Sequence, residues 1–217
     1  MKLFFLSLVN FIKYLRLKEK ENLLIFYSES KFYREHFIDL IVHIKKIKKK
    51  NIIFVSSDYE DCLYHKDILD SLFIGDKFFL QLFFQVLKCK CMIMTLTDLG
   101  NNLKKSINCK NYVYFFHSIA SIRTRYTKNA FENYDVVLTN GEYQKKELTE
   151  YENIFNYHKK KIINTGYFFL DNLANKAKFN VTNHKNILLA PSWNYNKKNL
   201  FDDYGVALID YLIKNNF

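Results

Sequence analysis

Tyr112, Val113, Tyr114, Phe115 and Phe116, followed by His117 and Ser118, form the stretch from which the fold is read. A short aromatic and β-branched run that stops abruptly at polar residues has the signature of a buried strand. Upstream, Met92 to Leu96 ends in the same way at Thr97 and Asp98. Downstream, Val136 to Leu138 passes into Asn140 and Gly141, and Ile162 and Ile163 pass into Thr165, Gly166 and Tyr167. Toward the N-terminus, Leu23 to Tyr27 and Ile52 to Val55 read as two further strands. Helical spacing fills the intervals: Phe37, Leu40, Ile41 and Ile44 within Phe32 to Lys48, Phe78, Phe79, Leu82 and Phe83 within Leu69 to Leu87, and Tyr143, Leu148 and Tyr151 after Gly141. Strands alternating with helices predict an α/β fold with a Rossmann-like, mainly parallel sheet covered by helices on both faces.

That domain is expected over residues 21–182. After a polar interval around Asn180 to Asn186, the run Ile187 to Ala190 reads as a new strand before Pro191, Ser192 and Trp193, and Val206 to Ile213 as a helix. One strand and one helix cannot enclose a core. Residues 183–217 are therefore expected to open a second, incomplete domain.

Composition narrows the partners. With 49% hydrophobic and 18% aromatic residues in 217, the chain can bury a substantial core, which excludes disorder. Five Gly and one Pro leave no flexible linker. A net charge of +11 implies attraction to nucleic acid, an anionic membrane or a phosphorylated substrate, without choosing among them. Lysine runs such as Lys45, Lys46, Lys48, Lys49, Lys50 and Lys159, Lys160, Lys161 read as solvated faces. Cys62, Cys89, Cys91 and Cys109 lack zinc-site spacing, and Cys89 and Cys91, two apart, are expected to share one face of a strand as reduced thiols. A cytoplasmic protein is the default.

Residues 1–20 stand apart. Leu3 to Ile12 is too short to span a bilayer and no small-residue cleavage site follows. Wound as a helix, it collects Lys2, Lys13, Arg16 and Lys20 on one face, opposite Phe4, Leu8, Phe11, Ile12 and Leu15. The pattern fits either a helix lying on anionic lipid at the inner face of the plasma membrane or a surface helix packed on its own domain.

Among residues that can do chemistry, His117 comes first. A strand-end histidine titrating near neutrality suits a general base for an attacking hydroxyl. Ser121, Arg123, Thr124, Arg125 and Tyr126 follow within a few residues, and arginine forks match phosphate oxygens. Asn140 and Gly141, turning into a helix, offer backbone N–H groups to an anion. Asp98 ends a neighbouring strand with no second carboxylate at metal-site spacing, so no metal is expected. No phosphate-binding loop or dinucleotide fingerprint is present, and no cofactor is expected.

Taken in order, these segments resemble the CDP-glycerol glycerophosphotransferases, enzymes with two facing α/β domains of the GT-B kind. The family's His-Gly strand end corresponds to Phe115, Phe116, His117, Ser118, and its Tyr-Asp strand to Tyr134, Asp135, Val136, Val137, Leu138, Thr139, Asn140. Its Thr-Gly-x-Pro-Arg-x-Asp signature is echoed by Thr165, Gly166, Tyr167, Phe168, Phe169, Leu170, Asp171, and its Ala-Pro-Thr-Trp signature by Ala190, Pro191, Ser192, Trp193. Ser118 stands in place of Gly, and Phe168 and Phe169 in place of Pro and Arg, so the phosphate contact of that Arg is lost. The resemblance implies that residues 21–182 form the acceptor side and residues 183–217 the opening of the donor side. His117 would be catalytic, and Ser118, Thr165, Gly166, Pro191, Ser192 and Trp193 would line the substrates, with Asp98, Asn140, Gly141, Arg123, Arg125 and Tyr126. Expected partners are CDP-glycerol or another nucleotide-activated donor, a polymer or lipid-linked acceptor, and an anionic membrane. The nearest alternative is a GT-B glycosyltransferase using a nucleotide sugar. A nucleic-acid-binding module, supported by charge alone, is the alternative of another class, and no nucleic acid is expected.

Overall fold

The computed structural model describes residues 2–48, 51–65, 70–97, 99–176, 187–190 and 200–215. The chain divides into two units, Met1–Asn175 and Lys176–Phe217. The first is built from strands β1 (Leu24–Ser28), β2 (Ile52–Ser56), β3 (Asp70–Phe73), β4 (Cys91–Met94), β5 (Tyr112–Phe115), β6 (Val136–Thr139) and β7 (Lys161–Asn164). Its helices are α1 (Lys2–Leu15), α2 (Arg34–Lys48), α3 (Tyr59–His65), α4 (Lys77–Val86), α5 (Ile122–Arg125), α6 (Glu142–Ile154) and α7 (Phe168–Lys176). The second unit contributes α8 (Leu200–Lys214).

Among the described residues the seven strands form one sheet in the order β3-β2-β1-β4-β5-β6-β7, every neighbouring pair parallel. The α/β, Rossmann-like reading of the sequence is thus correct. Parallel strands need crossovers, and the crossover helices bury both faces of the sheet, so the strands read as continuous apolar runs. Side chains still alternate between the faces. Ile25, Tyr27, Ile53, Val55, Met92, Met94, Tyr112, Tyr114 and Val137 meet Phe11 and Tyr14 of α1, Phe79, Phe83 and Phe84 of α4 and Leu148 of α6. Phe26, Phe54, Ile93, Val113 and Phe115 meet Phe37 and Ile41 of α2, with Phe168 of α7 beside them. Each fully buried large apolar side chain contributes roughly 1.5–3 kcal/mol.

Three sequence expectations change. The helix expected within Leu69 to Leu87 is α4, but an edge strand, β3, that the sequence reading did not expect precedes it. Gly75 and Asp76 make the break: a Cβ on Gly75 would lie 2.7 Å from the Ser57 carbonyl oxygen, and Asp76 Oδ1 caps α4 by accepting from the N–H groups of Phe78 and Phe79 at 3.0 and 3.3 Å. Cys89 and Cys91 do not share a face, because a bend at Lys90 separates Cys89 from the strand. Cys91 packs with the α2 face while Cys89 lies on the other, its Sγ 3.4 Å from that of Cys109. Ile187–Ala190 lies in neither helix nor strand. Within the lysine runs, Lys160 is also buried, its ammonium donating to the His158 carbonyl at 2.8 Å and to Glu152 at 3.4 Å.

Helix α1 is part of the domain. Ser7, Phe11 and Tyr14 are buried, and Ser7 Oγ accepts from the N–H groups of Gly75 and Asp76 at 3.2 and 3.1 Å. The Tyr14 hydroxyl accepts from the Lys88 N–H at 2.8 Å and donates to its carbonyl at 3.1 Å. Phe11 and Leu8 thus belong to the core and its edge, as the reading of a helix packed on its own domain expects. Leu3, Phe4 and Leu15 are exposed at its margins, and the side turned away from the core carries Phe5, Val9 and Ile12, exposed by 55%, 60% and 38%. Lys2, Lys13 and Arg16 follow the same side at helical spacing, whereas Lys20 turns back to the Leu15 carbonyl at 2.7 Å. No described helix is long and apolar enough to cross a membrane.

Candidate functional site

Strands of an open parallel sheet present their carboxyl ends along one edge, and ligands collect there. The turn after β5 carries His117 and Ser118 to that edge. Three elements hold this turn. From α6, Gln144 Nε2 donates to the carbonyls of Ser118 and Ala120, both at 3.1 Å. One turn further along α6, Glu147 accepts from the Ser121 hydroxyl at 2.9 Å and the Ile122 N–H at 2.6 Å, capping α5 from outside. From the end of β6, Asn140 Nδ2 donates to the Ser118 carbonyl at 2.7 Å. From the β7–α7 turn, the Tyr167 hydroxyl donates to the His117 carbonyl at 3.1 Å.

Around the His117 ring stand aromatic neighbours from distant parts of the chain. Tyr33, in the turn leading into α2, meets it edge-on with centroids 4.8 Å apart. His36, in the first turn of α2, lies 5.9 Å away, and Phe169 and Tyr167 lie 4.9 and 6.0 Å beyond His36. Gly166, at φ +77°, lets the chain turn from β7 into α7 so that Tyr167 and Phe169 reach this enclosure. Thr165 fixes that turn by donating its N–H and hydroxyl to the Thr139 carbonyl at 2.9 and 3.2 Å.

Burial dominates the electrostatics. The His117 pKa is pushed down from 6.5 to about 4, first by desolvation of the ring, then by the charges of His36 and Arg125. His36 is lowered by its own burial, with Glu35 opposing. Both imidazoles are therefore neutral at pH 7. The Nδ1 atoms of both are buried without a hydrogen-bond partner, as is Asn140 Oδ1. Buried polar atoms are nearly always paired, so three in adjoining turns of one sheet edge mark a place built for something other than packing.

The arrangement separates the sequence-predicted residues by what they do. His117, Arg125, Ser118, Thr165 and Gly166 gather at this edge. Arg123 is instead tied to Glu150 of α6, and Tyr126 packs its ring against Tyr114, Phe116 and Phe131 with its hydroxyl 3.5 Å from Ser118 Oγ. The Asn140 N–H is already donated to Gln144 Oε1 at 2.9 Å, and Gly141 begins α6 beside the Glu142 carboxylate. Neither feature favours an anion at that turn. Asp98, Pro191, Ser192 and Trp193 lie outside the described residues. His36, Tyr33, Gln144 and Glu147 are additions that the sequence reading missed.

A separate cleft of about 600 Å³ lies beside β2 and β3, lined by Phe4, Tyr59 and Phe73 and by the carboxylates of Glu29, Asp58, Glu60 and Asp76. Its charge suits an anionic donor poorly. Among the described residues, no group of three or more His, Cys, Asp or Glu is placed to hold a metal. Comparison with protein-family models, curated proteins and solved structures returned no match.

Proposed function

We propose that this domain forms the acceptor side of a transferase that moves glycerol phosphate from CDP-glycerol to a hydroxyl acceptor in envelope polymer synthesis. The observation that carries this reading is His117: a neutral imidazole at the carboxyl edge of a parallel sheet, with a bare ring nitrogen, inside an ordered series of segments resembling the glycerophosphotransferases. His117 takes the proton of the acceptor hydroxyl. The oxygen attacks the glycerol-bearing phosphorus, a new P–O bond forms, and the bond to the bridging oxygen breaks so that CMP departs with it. Such transfers depend on alignment and on positive charge around the phosphoryl group, for which Arg125, exposed and without an ion pair among the described residues, is the available cation. With this domain joined to a donor half, His117→Ala is expected to lower CMP release at least about a hundredfold. Its circular dichroism should be unchanged; undiminished turnover rules the assignment out.

The exposed stripe of α1 supports a place at the membrane surface. Phe5, Val9 and Ile12 would enter the headgroup region, and Lys2, Lys13 and Arg16 would each add about 1 kcal/mol near anionic lipid. That location suits a lipid-linked acceptor.

A further inference from the structure

The reading of His117 as the base leaves His36 unused, and its position gives it a task. We propose that His36 is a positioning residue for this base, and that the two imidazoles hold an uncharged hydroxyl group of the acceptor between them; this rests on the role given to His117. The ring centroids lie 5.9 Å apart, and both Nδ1 atoms are buried without partners. A hydroxyl suits two such rings because it donates its hydrogen to one ring nitrogen and accepts from an N–H of the other ring.

The walls argue against an anion in the same place. Tyr33, Tyr167 and Phe169 pack around the pair, and their rings bring no charge that would offset that of an anion. Arg125 is exposed, and Arg34 at the start of α2 lies 3.9 Å from the Glu35 carboxylate, so neither offsets the cost of desolvating an anion between the rings. Phe169 stands where the resembled family has Arg. The Phe169 ring, its centroid 4.9 Å from that of His36, is the wall against which His36 is held.

The test uses the whole chain with 15N-labelled histidine, reading the ring nitrogens at pH 7 by NMR while glycerol or inorganic phosphate is added. Glycerol should move His36 and His117 together and saturably, and phosphate should leave both in place. His36→Phe, which keeps an aromatic ring but removes its nitrogens, should raise the glycerol midpoint at His117 about tenfold. His36→Asn, with an amide near the Nδ1 position, should recover most of that loss. The converse variant His117→Phe should weaken the response at His36, so the proposal stands or falls even if one substitution disturbs folding. Phosphate moving the pair at lower concentration than glycerol, a His117 response unchanged in His36→Phe, or no response to glycerol would each overturn it. CDP-glycerol consumption by the domain joined to a donor half is a separate readout. Its failure with the glycerol response intact retires the donor and keeps the pocket, whereas the reverse retires His36 alone.

Discussion

His117 combines burial with availability. Because its pKa of about 4 lies well below 6.5, the ring is uncharged at the pH where a base is needed. The same depression makes it a weak base in the free protein, and a donor pyrophosphate brought beside it would raise its proton affinity toward that required for transfer. The acid limb of kcat/KM, which reports the free enzyme, should therefore fall below pH 6.5, and that of kcat should lie higher; identical limbs would remove this coupling. Stability carries the same sign. The unfolded ring gains its proton near 6.5 and the folded ring only near 4, so stability is retained above pH 6.5 and lost as pH falls from there toward 4. Urea midpoints should drop over that window, and less steeply in His117→Gln. His117 was legible because a polar residue ending an apolar run is a local signal. His36, Gln144 and Glu147 were not, because their roles depend on which elements adjoin in space: Gln144 and Glu147 look like ordinary polar residues of a surface helix until the β5 turn is laid against them.

Helix α1 follows one of the two readings that its sequence allowed, the helix packed on its own domain. Its Ser7, Phe11 and Tyr14 face is bound into the domain, so deleting residues 1–20 would uncover core. Phe11→Ala should cost about 3–5 kcal/mol in chemical denaturation. Tyr14→Phe should cost about 1–3 kcal/mol, because the Lys88 N–H loses its acceptor. The opposite face is separable: Phe5→Ser with Val9→Ser should change stability by less than about 1 kcal/mol. That pair should nevertheless reduce cosedimentation with anionic vesicles, and equal sedimentation would mean that the exposed stripe has no role at a membrane. Six of the seven strands were readable to within a residue or two, because burial on both sides writes each as an unbroken apolar run. Strand β3 was not, since an edge strand beginning Asp70, Ser71 has little such run, and the cap at Asp76 that separates it from α4 was overlooked. Helix α3, with Glu60 and Asp61 in its first turn, is too short to display a period.

At the scale of the whole molecule, strand order reverses between β1 and β4, and the elements leaving β1 and β5 bring His36 and His117 together across that region of the carboxyl edge. A parallel sheet of this kind serves glycerophosphate transfer and sugar transfer alike, so the architecture leaves the donor open. The net charge of +11 is consistent with an anionic donor and a lipid surface, and equally with other polyanions. Donor identity is therefore the decisive quantity. The domain joined to a donor half and supplied with membranes as acceptor should consume CDP-glycerol with release of one CMP per phosphodiester formed, and His117→Ala should abolish that release. Consumption of a nucleotide sugar with release of a nucleoside diphosphate, CDP-glycerol remaining intact, would contradict the account.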